Sequence, residues 1–469
     1  MRILMVAHTF LPESRGGMEN HAFYLSKYLL SAGHEVGVLY RVRSKGTDPC
    51  ALDTGQWEGL RVFRLMRGNS APGPVFYPFY DPRAEGLFER VLQTFQPEVV
   101  HFHHLVDLSA SLVSAAARHG IPTVFTLHDF WPMCIMSHLR TPDGDLCHGP
   151  DEGLRCAECL WKQQAQAHAP VSIRTRYREL GLRESLRRAP RFVADVLFAR
   201  LAGGSHEFSN ANLRVQMASL PWRNSYMRQA LTSCTQLISP SRFLMEKYVE
   251  WGVPASHFLQ IYNSVPGSLR SLRSLPRGVH DRVRFGFLGS LYPPKGVHVL
   301  IEAFRQMGSS AAELHIWGAA PNPGAQPYAD QVHEQGRDVP SLCFEGGFPP
   351  ADLGRILQDL DVLVVPSTWY ENNPLVILEA FAAGIPVIAG DIGGMAELVQ
   401  PNVNGLLFRV GDPGDLASRM SMMLDPARLE QCRGGTPVPA SHDELGATVE
   451  RVYRGLLEDQ EVRAPEPAS

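Results

Sequence analysis

Short apolar runs alternate with amphipathic stretches in this chain, and the alternation occurs twice, on either side of a polar segment. In the first half the runs are RILMVAH (2–8), EVGVLY (35–40), EVVHFHH (98–104), PTVFTLHD (122–129) and QLIS (236–239). A run that is apolar at every position fits a strand buried on both faces, and strands separated by helices predict a doubly wound parallel sheet. The second set, VRFGFLGS, ELHIWG, LCFEG, DVLVVPS and PVIAG, lies between 283 and 390. The polar stretch between the sets, PGSLRSLRSLPRGVHD (266–281), predicts an interdomain linker. The expected division is residues 1–265 and 282–435, with 436–469 a last helix (about 441–459) and a disordered tail. Two parallel α/β domains of this kind face each other across a cleft and bind ligand at the carboxyl ends of their strands.

Composition narrows the class of function. With 44 basic and 48 acidic side chains the formal charge is −4, so no nucleic-acid partner is expected. No apolar run reaches the roughly 18 residues needed to span a bilayer, and MRILMVAHTF reads as a strand rather than a secretory leader. A cytoplasmic location is expected, in which the eight cysteines serve as thiols or metal ligands rather than structural disulfides.

The densest chemistry lies in YENNPLVILEAFAAGIPVIAGDIGG (370–394), directly after the strand pattern DVLVVPS. Asn373 is a candidate helix cap, Pro374 suits the first turn, and the helix ends at Gly384. The unpaired amides and positive dipole end of such a helix suit a phosphate. Glu371 precedes that end and Glu379 lies on the helix. Two carboxylates there can bind a metal, grip vicinal hydroxyls, or simply be solvated. A nucleoside diphosphate sugar offers the matching set of diphosphate, ribose and hexose.

Glu371 and Glu379 with the following AFAAGIPVIAGDIGGMAELV resemble the signature of the retaining glycosyltransferases of family 4. The Gly16-Gly17 loop, TLHD (126–129), GSLYPPKGVHVLIEAF (289–304) and GLLFRVGDP (405–413) match in order. The resemblance covers most of 1–40, 98–130 and 236–425. It implies the GT-B fold, two Rossmann-like domains facing a cleft, and transfer of a hexose-type sugar from a nucleoside diphosphate sugar to a glycan or lipid-linked acceptor. It further implies that Glu379 binds the donor ribose, Glu371 the sugar hydroxyls, and Asn372, Asn373, Leu375 and Val376 the sugar and diphosphate. Lys295 would neutralise the diphosphate, Gly16 and Gly17 would let the backbone approach the donor or acceptor, and His128 would stand beside the reacting sugar. His103 and His104 are expected on the acceptor side. The family carries an Arg where this chain has Ser290, so stabilisation of the leaving group falls to Lys295 and the helix amides. With no Asp-X-Asp in a matching place, catalysis is expected to be metal-independent.

Residues 131–230 interrupt the alternation. Cys134, Cys147, Cys156 and Cys159 gather four thiols in one short stretch, a candidate structural zinc site. Residues 171–202 carry eight Arg against three acids, a pattern that suits either a solvated helical face or contact with an anionic membrane surface. Two other functions fit the same plan: a nucleotide-sugar epimerase, whose flanking acid/base carboxylates have no candidate here, and an inactive nucleotide-sugar-binding protein, which only Ser290 favours.

Overall fold

The computed structural model describes residues 1–44, 50–68, 79–150, 155–160, 162, 210–276 and 280–463. The first sheet comprises β1 (Arg2–Ala7), β2 (Glu35–Ser44), β3 (Ala51–Trp57), β4 (Leu60–Gly68), β5 (Val99–Phe102), β6 (Thr123–Thr126), β7 (Gln236–Ser239) and β8 (Phe258–Gln260). Their order is β3-β4-β2-β1-β5-β6-β7-β8, parallel except for the β3–β4 pair. The second sheet comprises β9 (Val283–Leu288), β10 (Ala312–Trp317), β11 (Leu342–Gly346), β12 (Val362–Val365), β13 (Val387–Gly390) and β14 (Gly405–Phe408), in the order β11-β10-β9-β12-β13-β14.

The uniform apolarity of β1 has a direct cause. Leu4 and Val6 pack on one face with Phe88, Val91 and Leu92 of helix Pro82–Phe95. Ile3 and Met5 pack on the other with Leu25 and Leu29 of helix Gly17–Ser31. In the second sheet Leu363 and Val387 meet Ile377 and Phe381 of helix Leu375–Ala382. Each such fully buried side chain contributes about 1.5–3 kcal/mol.

Several elements depart from the sequence reading. The antiparallel edge β3–β4 and helix Pro82–Phe95 were not anticipated. The expected linker lies between the two sheets, and within it Gly267–Ser274 forms a 3-10 turn with Leu269 buried. Its Arg273 donates to the carbonyls of Phe381, Thr436 and Pro437, and its Arg270 to that of Pro439, so the segment is docked rather than free. The last helix, His442–Arg463, returns to the first sheet, where Leu445, Val449 and Tyr453 join the β1–β2 core and Tyr453 Oη meets His101 Nδ1 at 2.5 Å. The Arg-rich stretch 171–202 lies outside the described residues, as does most of the terminal tail.

The two sheets are tied across the cleft. Glu397, from the helix Gly393–Leu398, accepts hydrogen bonds from the amides of Arg242 and Phe243 at the start of helix Arg242–Glu250, both at 2.9 Å, and from Gln260 and Tyr262. A carboxylate against free helix amides is a favourable pairing. Among the described residues no helix is long and apolar enough to cross a membrane.

Candidate active site

Strand order reverses between β1 and β5 in one sheet and between β9 and β12 in the other. Ligands of doubly wound sheets bind at such reversals, outside the carboxyl ends of the strands. Gly16 and Gly17 follow β1, Ser290 and Lys295 follow β9, Glu371 follows β12 and His128 follows β6.

Glu371 is held by three donors: Lys295 Nζ at 2.6 Å, Trp369 Nε1 at 2.8 Å and Ser367 Oγ at 3.0 Å. All three reach Oε1, which leaves Oε2 for a ligand hydroxyl. Burial pushes the Glu371 pKa up, but the charge of Lys295 and these hydrogen bonds outweigh it and hold the group below the usual carboxylate range. Lys295 lies over the Trp369 ring, Nζ 5.6 Å from its centroid. The following Gly296 has φ +71°, and a Cβ there would stand 1.9 Å from the Pro366 carbonyl oxygen, so only glycine lets the lysine turn pack on this strand end. Ser290 makes no side-chain hydrogen bond among the described residues and brings no charge to this loop.

Glu379 contrasts with Glu371. It lies on helix Leu375–Ala382, and among the described residues no donor or cation pairs with its carboxylate. Burial alone raises its pKa to about 7. At the start of this helix the amides of Leu375 and Val376 bond to nothing among the described residues, consistent with an anion site. Asn373 does not cap the helix, contrary to expectation. Its Oδ1 accepts from the Asn263 amide at 3.0 Å and its carbonyl from Asn263 Nδ2 at 3.1 Å, while Pro374 occupies the cap position with extended backbone. Asn372 likewise donates to the His128 carbonyl at 2.9 Å. The two asparagines therefore clip the Glu371 loop to the first domain, and any role toward a donor falls to their remaining polar atoms. Gly394 donates to the Glu371 carbonyl at 2.7 Å, and a Cβ there would fall 1.7 Å from the Asn372 carbonyl oxygen.

The first domain supplies the opposite wall. Gly16 leads in extended backbone into the helix Gly17–Ser31, and a methyl on Gly17 would stand 3.8 Å from Leu375 Cδ1, so the glycine loop faces the helix start. His128 Nε2 meets His103 Nδ1 at 3.2 Å, and its ring stacks on His103 and lies edge-on to His21. Burial and the neighbouring His21, His103, His104 and His8 hold His128 well below the usual imidazole range, so it is neutral at physiological pH. His103 is fully buried, stacked between His101 and His128, and His104 is turned to Asp129 at 3.1 Å. These two support His128 and its loop; they do not present themselves to an acceptor, as the sequence reading expected.

The structure adds residues that sequence reasoning missed. Glu19, two positions beyond the glycine pair, is buried and accepts from Thr9 and Ser14, which fixes the loop after β1. Trp369 joins Glu371, Lys295 and Tyr292, and its ring meets those of Tyr292 and His138 at 5.7 Å each. Proximity to the glycine pair could have flagged Glu19, and proximity to the signature Trp369; nothing local marks Asn263 or His138. Among the described residues there are two sets, His21–His103–His128 and His315–Cys343–Glu345, within each of which the candidate ligand atoms lie within 4.8 Å of one another. The four insertion cysteines are less tightly drawn, although Cys159 feels the other three and burial pushes its thiol up to about 12.

Comparison with known proteins follows the same outline. The sequence profile of "Glycosyl transferases group 1" matches residues 282–425, and that of "Glycosyltransferase Family 4" matches 15–195. A glycogen synthase of Mycobacterium tuberculosis is 25% identical over 446 residues, 92% of this chain and 88% of its own. A GDP-mannose-dependent alpha-mannosyltransferase of the same species is 24% identical over 416 residues, 88% and 85% of the two chains. Anabaena HepE, crystallised with UDP and glucose, superposes with a TM-score of 0.58 at 18% identity, covering 96% of this chain and 99% of that one. The profiles account for both halves of the cleft and the superposition for the way they face each other: the chain belongs to the family 4-like, group 1 glycosyltransferases and has their two-domain GT-B fold.

Proposed function

We propose that this enzyme moves a hexose-type sugar from a nucleoside diphosphate sugar to a glycan or lipid-linked acceptor, with retention at the anomeric carbon and without a catalytic metal. The observation that carries the reading is the convergence of the Lys295–Glu371 pair and the unpaired helix amides of Leu375 and Val376 opposite Gly17. In this reading Glu379 accepts from ribose hydroxyls, Glu371 Oε2 from a sugar hydroxyl, and Lys295 with the amides holds the diphosphate. Positioned charge on a leaving phosphate is often the largest catalytic contribution. Neutral His128 hydrogen-bonds the sugar.

The sugar C1–O bond to phosphate breaks, the acceptor oxygen bonds C1 on the same face, and the acceptor proton passes to the departing phosphate oxygen. No side chain serves as nucleophile. That HepE binds UDP and glucose, and that the M. tuberculosis relatives carry glucan- and mannose-transfer names, supports the donor class. The eight Arg within 171–202 support an acceptor presented at an anionic surface on the cytoplasmic side. Product analysis by NMR tests the reading. The anomeric configuration of the donor is retained in the product, and the rate is unchanged by EDTA. An inverted product, or loss of activity on chelation that magnesium or manganese restores and zinc does not, overturns it.

A structural zinc held by Cys134, Cys147, Cys156 and Cys159 completes the proposal. Arg223 supports it: the side chain is fully buried and donates to the carbonyls of Trp131 and Pro132, and no carboxylate pairs with it among the described residues. Its electrostatic neighbours are Cys134, Cys156 and Tyr248. A buried cation lacking a counter-charge is costly, and a tetrathiolate zinc, net negative, supplies one. Binding would draw the sulfurs together and pin the hairpin between Cys134 and Cys147. Metal analysis of protein purified without chelator is expected to find about one zinc per chain; a folded, metal-free protein removes the site.

A further inference from the structure

The hairpin between Cys134 and Cys147 belongs to the first domain but reaches the loops of the second. It closes through a bridge between Arg140 and Leu146 and a hydrogen bond from the Cys147 amide to the Leu139 carbonyl at 2.8 Å. His138 on this hairpin meets Trp369, the residue that also touches Tyr292 and underlies Lys295. The hairpin therefore stands over the strand end where the family carries an arginine and this chain has Ser290.

Arg140 is half-buried at this place. Its Nε donates to the Gly144 carbonyl at 2.9 Å, which fixes the base of the guanidinium against the turn, and its terminal nitrogens make no hydrogen bond among the described residues. No carboxylate lies within ion-pair distance of it among the described residues. Its electrostatic neighbours beyond the hairpin are Tyr292, three residues before Lys295, and His298, three residues after it. A guanidinium is favoured where planar recognition of phosphate is needed, and this one, whose acidic neighbour is the hairpin's own Asp145 beyond ion-pair distance, is poised for an anion that arrives later.

We propose that Arg140 contacts the leaving diphosphate from the acceptor-side domain, replacing the cation absent at Ser290. The inference rests on the nucleotide-sugar reading of the cleft. Because the residue comes from the opposite domain, the anion site is complete only when the two domains face each other as they do here.

Calorimetric titration with UDP, GDP and ADP, and with the matching nucleosides, tests it in wild type, Arg140→Ala, Arg140→Gln, Ser290→Arg and the Arg140→Ala/Ser290→Arg double variant. Both Arg140 variants are expected to bind the preferred nucleoside diphosphate at least about tenfold more weakly, with nucleoside binding changed less than about threefold. Ser290→Arg in the Arg140→Ala background is expected to restore binding to within about threefold of wild type. Arg140→Gln keeps the side-chain length and guards against a collapsed hairpin. Diphosphate binding at wild-type strength in both Arg140 variants overturns the proposal, as does failure of Ser290→Arg to restore it. If wild type itself binds none of the three diphosphates, the donor-site reading fails, and Arg140's role fails with it.

Discussion

Glu371→Ala is expected to lower sugar transfer at least about tenfold, roughly 1.4 kcal/mol in the barrier. In the proposed reading the carboxylate does two things at once: Oε1 gathers Lys295, Trp369 and Ser367, and Oε2 is left for the donor sugar. Truncation would remove the proposed sugar contact and free Lys295 from the position in which it is proposed to meet the diphosphate. It also leaves a largely buried ammonium without its partner, which costs stability. Glu371→Gln separates the two effects, because its amide oxygen still accepts from Trp369 and Ser367 while the charge is gone. The Gln variant should fold like wild type and fall between wild type and Ala in turnover. Full turnover in both variants at saturating donor would remove Glu371 from the site.

The second large effect concerns Glu379 and has opposite signs for stability and binding. Burial without a partner raises its pKa from the usual 4.5 to about 7. Between those values the folded protein holds a proton that the unfolded chain has released. Stability from this group is therefore fully present below about pH 4.5, declines as pH rises, and is lost above about pH 7, at a cost of about 3 kcal/mol at most. Glu379→Gln removes the charge, so its thermal midpoint at pH 8 should exceed that of wild type, while the two coincide near pH 4. Donor binding should move the other way. The ionised carboxylate accepts ribose hydroxyls better than a neutral acid or amide, so wild-type affinity rises from pH 6 to 8 and Glu379→Ala loses about tenfold or more. Parallel pH–stability curves for wild type and Glu379→Gln would contradict the partly buried, unpaired state of this carboxylate.

Much of this was legible because it is local. The apolar strands read as strands since both faces of each are covered, as Ile3 and Leu4 show by packing on opposite sides of β1. Glu371 and Glu379, with the loop before them, fall within one strand–loop–helix unit, so their place at a strand end was legible locally, while their reading as a pair of site residues came from the resemblance to the family signature. What escaped depends on distance in the chain. Asn373 looks like a helix cap in isolation, but Asn263, 110 positions away, claims its side chain. The polar linker looked free because its arginines have no local partners; those partners are carbonyls at 381 and 436–439. Strands β3 and β4 lie at a sheet edge, where the exposed side of ALDTGQW carries polar residues and blurs the pattern. The last helix appeared to be an appendage because nothing in its sequence reveals that Tyr453 fits beside His101.

The central claim is that the cleft between the two sheets holds a nucleoside diphosphate sugar on Glu379, Glu371 and Lys295. Calorimetric titration of the full chain with UDP-, GDP-, ADP- and dTDP-sugars, with and without EDTA, tests it most directly. One nucleotide sugar is expected to bind clearly, without regard to chelator, and to lose that binding in Glu379→Ala. A well-folded protein that binds none of them, or binds one equally well without Glu379, would contradict the assignment.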